Sequence, residues 1–143
     1  MTHFAPSRTT LWISFGLSAL IVLFLLVDAG VSILAPALLS DVQAKVGFPS
    51  DLSPLLGGIM LLCALLFAIP RTATVGAILI TAFAGGAICT HVRIGEIGSP
   101  PQFIAFALAA VAWLSLWMRD ASVRAALGFP GSSYRSIADT ANG

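Results

Sequence analysis

Charge is scarce in this chain, and the scarcity decides much of what it can be. Only 7 lysines and arginines and 6 aspartates and glutamates occur among 143 residues, so 9 % of the chain is charged. A soluble domain carries about 25 %, and this sequence has too little polar material to cover a surface facing water. The net charge of +1 comes without a basic patch, which excludes the electrostatic footprint of a nucleic-acid binder. Cysteine is nearly absent too. Cys63 and Cys89 stand alone, with no CxxC and no Cys/His spacing suited to zinc. Counted by helical rise, Cys63 lies about 15 Å in from Ser53, while Cys89 lies near the end of its segment. A bridge needs Cα atoms within about 7 Å, so the depths argue against one. No Ser/His/Asp triad, metal-ligand set or phosphate loop can be assembled from the remaining residues, which tilts the reading away from an enzyme.

What the chain has is long apolar runs. Hydrophobic residues make up 58 % and the mean hydropathy is +0.99. Runs free of charge occupy 9–27, 52–70, 72–90 and 97–118, each near the 20 or so residues that a spanning helix needs. The expectation is an all-α integral membrane four-helix bundle, with helices over about 10–34, 53–69, 72–94 and 101–118. A cytoplasmic N-terminus, 1–9, and a flexible cytoplasmic tail, 128–143, flank this single domain, 10–127. Ala35-Pro36-Ala37 resembles a cleavage site, but the apolar run before it exceeds the 7–15 residues of a signal h-region and reads as an uncleaved first helix.

Between helices 1 and 2, Pro36 breaks the helix and Ala37–Val46 places Leu38, Leu39, Val42 and Val46 on one face, with Asp41 and Lys45 at i, i+4. This reads as a short interfacial helix, stopped by Gly47. Ser53-Pro54 suits the start of helix 2, and Pro70-Arg71-Thr72 is short enough to make helices 2 and 3 an antiparallel hairpin. The third helix has small residues at every fourth position: Ala73, Ala77, Thr81, Gly85 and Cys89. Small side chains let helix backbones approach closely in lipid, so this helix is expected to be the most buried, with Ala73, Ala77, Thr81, Gly85, Gly57 and Gly58 as packing positions. Basic residues orient the bundle. Arg8, Arg71, Arg119, Arg124 and Arg135 would share one side and Lys45 and Arg93 the other, which puts both termini in the cytoplasm. Trp12, Trp113 and Trp117 then fall at the cytoplasmic interface.

This topology carries a polar consequence. By helical rise Asp28 lies about 27 Å along helix 1, near its outer end, and helix 3 ends at the same face with His91 and Arg93. Glu96 follows in the loop, and Cys89 precedes His91 by two positions. Asp28, His91, Arg93, Glu96 and Cys89 are therefore a candidate cluster for a ligand or redox group, suited to a small anion, a quinone head or a proton. The alternative is structural. Gly95 makes His91 and Arg93 last-turn residues that complement the helix dipole, and Arg93 could pair with Glu96 or anchor at headgroups.

Several segments resemble the DoxX-like family of small bacterial membrane proteins. They are Lys45-Val46-Gly47-Phe48-Pro49; Leu55-Leu56-Gly57-Gly58; Pro70-Arg71-Thr72-Ala73 with Gly76-Ala77-Ile78-Leu79, Gly85-Gly86-Ala87 and Thr90-His91-Val92-Arg93; and Trp113-Leu114-Ser115-Leu116-Trp117-Met118-Arg119-Asp120. The resemblance implies a four-helix bundle in a bacterial inner membrane. It also implies an association with quinol oxidase, thiosulfate:quinone or oxidative-stress chemistry, without a catalytic set that maps onto these positions. Three functions stay in view: a membrane subunit or scaffold with a membrane or oxidoreductase partner or a second copy of itself; a redox accessory with quinone as its cofactor; and a small-solute carrier. The bilayer is the one partner that composition itself calls for.

Overall fold

The computed structural model describes residues 7–128. The expectations for residues 1–6 and for the tail from Phe129 onward, Arg135 included, lie outside them. Among the described residues the chain is wholly helical: α1 (Arg8–Leu34), α2 (Ser40–Val46), α3 (Ser53–Ala68), α4 (Ala73–Arg93), α5 (Pro100–Arg119) and α6 (Ala121–Ala126), with 3-10 turns over Pro36–Leu39 and Ser50–Leu52. The four long helices contact one another in a closed ring, α1 on α3, α3 on α4, α4 on α5 and α5 back on α1.

Three of them, α1, α4 and α5, are long and apolar enough to cross a membrane. The fourth, α3, has 16 residues, short of the run 52–70 that its uncharged sequence offers. The 3-10 turn at Ser50–Leu52 clips it at one end and the Pro70 turn at the other, so three uncharged residues at its flanks never join the helix. Ser53 is the first helical residue rather than the cap, and Leu52 takes the cap position.

The bundle is apolar outside, and its interior mixes large apolar side chains, Ile21, Leu25, Phe67 and Leu116 among them, with small and polar ones. Trp12, Leu20, Leu23, Leu55, Phe103 and Phe106 project from the outer faces, while Ser14, Ser18, Ala64, Ala77, Ala112 and Ser115 are buried. In lipid, helices associate through close packing and hydrogen bonds rather than through hydrophobicity, and the contacts follow that rule. A Cβ on Gly76 would stand 2.5 Å from the Phe67 backbone nitrogen, and one on Gly57 would stand 2.7 Å from Ile33. These two glycines let α3 meet α4 and α1 backbone to backbone.

The small-residue stripe of α4 does not pack as expected. Ala73 and Ala77 are buried with Gly76, Ile80 and Ala84, but Thr81, Gly85 and Cys89 are exposed, and a Cβ on Gly85 or Gly58 would meet nothing within 4 Å. The cause is helical pitch. Four residues turn about 400°, so a period-four stripe drifts about 40° per step and leaves the buried face after two steps. Nor is α4 more buried than α1. Thr81 still serves the fold, since its hydroxyl accepts the Trp113 indole N–H at 2.9 Å and donates to the Ala77 carbonyl. Trp113 thereby ties α5 to α4 instead of standing free at an interface.

At the end of the bundle holding the start of α1 and the end of α5, polar side chains engage one another across the helices. Ser14 donates to the Ser115 carbonyl at 2.7 Å, Ser18 to the Ser115 hydroxyl at 3.2 Å, Ser115 to the Ala112 carbonyl and Arg119 to the Ser18 hydroxyl. The Arg119 guanidinium also lies 5.2 Å from the centroid of the Phe15 ring, within cation–π range. Asp120 caps α6 by accepting from the Ser122 amide. Its hydrogen bonds from Ser122 hold its carboxyl below the ordinary aspartate value.

Candidate functional site

The other end is built from the last turns of α1 and α4, the first turns of α3 and the short helix α2. Gly47 and Gly95 end α2 and α4 in the left-handed region, at φ 73° and 80°, as stop glycines do. The first of these turns folds α2 back across the mouth of the bundle. Three polar ties then fasten α2 to the end of α4. Lys45 forms an ion pair with Glu96. Glu96 accepts in turn from His91 Nδ1 at 2.8 Å. The Arg93 guanidinium reaches the Val46 carbonyl at 2.5 Å and lies 3.2 Å from where a Cβ on Gly47 would stand. Hydrogen bonds from Lys45 first, and from His91 second, hold the Glu96 carboxyl below its ordinary value. Gln102, at the start of α5, completes the rim. Its Oε1 accepts from the Gly98 and Ser99 amides, and its Nε2 donates to the Ile88 carbonyl of α4.

Two pairings therefore differ from the sequence reading. Lys45 turns to Glu96 rather than to Asp41, and Arg93 goes to a backbone carbonyl rather than to Glu96. Both follow from the placement of α2. Once it folds over the bundle, Lys45 faces the α4–α5 loop and the α2 C-terminus presents free carbonyls to the nearest guanidinium.

Beneath α2 lies a cavity of about 390 Å³, reaching from Val42, Gln43 and Val46 of the lid to Asp28, Phe83 and His91. A narrower chamber of about 140 Å³ runs inward between α1, α3, α4 and α5, past Phe24, Cys63 and Leu108. Asp28, Met60, Phe83 and Ala87 line both, so the chambers adjoin, and Asp28 stands at the waist between them. The walls are apolar apart from a few groups: Asp28, Ser32, Gln43, Thr90 and His91 in the outer chamber.

Asp28 is half-buried. Among the described residues it has no hydrogen-bond or ion-pair partner, since Lys45 forms its ion pair with Glu96 and His91 hydrogen-bonds the same carboxylate. A carboxylate in a membrane helix costs about 2.5–3.5 kcal/mol at the bilayer centre and less toward the ends, so an unpaired one is expensive for the fold. Gln43 is 7 % exposed, and its Oε1 is buried without a partner. Such orphaned buried groups are uncommon in folded proteins.

Of the five residues singled out from sequence, the structure thus brings Asp28 and His91 to one cavity. It sets Glu96 and Arg93 in the ties that hold the lid, and leaves Cys89 exposed on the outside of α4. Cys63 is buried and lines the inner chamber. Sequence reasoning passed over Ser32 and Gln43. Ser32 sits at i+4 from Asp28, so a signal was present in α1, whereas Gln43 became meaningful only when α2 closed over the bundle.

The profile of the DoxX-like family matches residues 16–118, from the third turn of α1 to the end of α5. The chain belongs to the DoxX-like family. The match contains the whole of this cavity, its lid and the lid's ties to α4. Neither curated proteins nor solved structures give a match. Family membership and the apolar helices make this DoxX-like chain a membrane protein.

Proposed function

We propose that this DoxX-like protein is a four-helix transmembrane bundle of the bacterial inner membrane that binds a small amphipathic molecule in the lidded cavity. The observation that carries this reading is the combination of about 390 Å³ of space, apolar walls and, on those walls, an Asp28 carboxylate with no ion pair among the described residues. Ligand sites have this character, a mostly apolar pocket of about 300–1,000 Å³ with a few placed polar groups. In this reading α3 is the fourth span, and its 16 residues are matched to the bilayer by local thinning or by its flanking turns. A redox accessory with a quinone, and a small-solute carrier, are narrower forms of the same reading. Both place the working molecule between Asp28 and His91.

Filling the waist tests the proposal. Ala87→Phe puts a ring where both chambers meet. Thermal stabilisation of the purified protein by a panel of amphipathic small molecules should occur with the natural chain and vanish in the variant. A panel that shifts neither protein would overturn the reading.

A second reading, a scaffold or subunit docked on a membrane or oxidoreductase partner or on another copy, draws on the exposed small residues of α4. Gly85 and Cys89, one turn apart, leave a smooth strip open to a facing helix. Crosslinking between Cys89 residues of two copies in native membranes, with Gly85→Leu as the blocking variant, separates this reading from the first.

A further inference from the structure

The chemistry of the cavity wall narrows what it holds, on the reading that it is a binding site. Hydrogen-bond acceptors predominate there. Asp28 has no cation beside it among the described residues, and when ionised it only accepts. Gln43 also lines the wall, its Oε1 enclosed and without a partner. The Thr90 hydroxyl spends its proton on the Gly86 carbonyl at 2.9 Å, which leaves lone pairs. His91 follows by elimination. Its Nδ1 lies 2.8 Å from Glu96 Oε2, an acceptor, so Nδ1 turns a proton to Glu96, and in the neutral tautomer Nε2 is an acceptor. The donors on the wall are the Ser32 hydroxyl and the Gln43 amide nitrogen, and neither is charged.

The basic residues nearby are spoken for. Lys45 pairs with Glu96 on the outer side of the lid, and Arg93 is held by the Val46 carbonyl. Arg119 belongs to the opposite end of the bundle. Among the described residues no ion pair includes Asp28, and apolar space opens on both sides of it.

We infer that the cavity takes an amphipathic amine, its ammonium head at Asp28, on the wall that Gln43 shares, and its apolar substituent in the adjoining chamber. An ammonium supplies positive charge to the unpaired carboxylate and N–H donors to an acceptor-rich wall. An anion would meet Asp28 with like charge, and a carbonyl compound would offer acceptors to acceptors. The inner chamber, lined by Phe24, Ile80 and Leu108, receives a hydrocarbon or aryl tail.

Three probes of matched shape separate these cases: 4-phenylbutylamine, 4-phenylbutanol and 4-phenylbutyrate, which are cationic, neutral and anionic at pH 7. The full chain is reconstituted in phosphatidylcholine nanodiscs, and binding is measured by equilibrium dialysis with empty discs subtracted. The amine should bind about tenfold or more tighter than the alcohol, as expected for a hydrogen bond to a charged group, and the butyrate should bind weakest. Asp28→Asn, nearly isosteric, should abolish the preference for the amine and leave alcohol binding in place. Gln43→Leu should weaken amine binding about threefold to tenfold without changing its rank.

Alcohol binding equal to the amine, or butyrate binding best, would overturn the amine while the binding cavity stands. If none of the three binds, the cavity reading falls and the amine with it. Should Asp28→Asn fail to fold, the ranking of the three probes on the natural chain still supports the amine or overturns it.

Discussion

The two ends of this bundle use polar residues in opposite ways. Where α1 begins and α5 ends, Ser14, Ser18, Ser115 and Arg119 form a continuous set of hydrogen bonds, and Gly76 lets α4 lie directly on the α3 backbone. Where α1 ends and α4 ends, Asp28 borders open space without an ion pair, the Gln43 Oε1 is enclosed without a partner, and the Lys45–Glu96 ion pair lies in the lid instead. Buried polar groups that are satisfied rigidify a structure, and those left unsatisfied weaken it. The contrast teaches that this fold is held at one end and kept available at the other.

The largest expected effect tests the held end. Gly76→Val forces a branched side chain into the Phe67 backbone and should lower stability by about 3 kcal/mol, read as the midpoint of denaturant unfolding in micelles. A variant as stable as the natural chain would show that α3 and α4 can part without penalty, and the comparison would lose its closed side.

A pair of substitutions of similar size should then move stability in opposite directions. Ser18→Ala removes a hydroxyl that joins α1, Ser115 and Arg119, at a loss of about 1 kcal/mol, near the upper part of the range for hydrogen bonds between membrane helices. Gln43→Leu replaces an unsatisfied buried amide with an apolar group and should raise stability by about 1 kcal/mol, while weakening amine binding. Equal losses from both would mean that Gln43 is satisfied in the folded protein, and the two ends would then differ less than their geometry indicates.

The smallest effect concerns the lid. Lys45 and His91 hold the Glu96 carboxyl below its ordinary value of 4.5. A carboxyl depressed on folding contributes stability above the unfolded value and loses it as pH falls through the folded one. Amide exchange protection of α2, Ser40–Val46, should therefore be constant at neutral pH and decline below pH 4.5, while that of α1 and α5 holds. Glu96→Gln should give the reduced protection of α2 at every pH. Protection that ignores both pH and Glu96 would locate the lid's attachment in Arg93 and Val46 alone.

Much of the architecture was legible in the chain because charge is so rare. Arg8, Asp28, Asp51, Arg71, His91, Glu96 and Arg119 bracket apolar runs whose lengths mark membrane helices, and Gly47 and Gly95 signal where two helices stop. The stripe on α4 misled for a definite reason. Period four is close to the helical repeat but not equal to it, so Gly85 and Cys89 drifted off the face that Ala73 and Ala77 share. The serine seam left a readable trace in Ser14 and Ser18, four residues apart. Its partners Ser115 and Arg119 lie about a hundred positions away in the sequence, however, and no local pattern links them.

The amino-acid sequence by itself determined that this protein is helical, belongs in a membrane and carries its ionisable groups near helix ends, because hydropathy and the cost of charge in lipid act residue by residue. Tertiary structure decided which of those groups meet. Only the fold of α2 across the mouth sends Lys45 to Glu96 and Arg93 to Val46, buries Gln43, and leaves Asp28 facing an apolar cavity without a counter-ion. Pairing depends on distances between helices, and those are set by where two glycines, Gly57 and Gly76, allow backbones to touch.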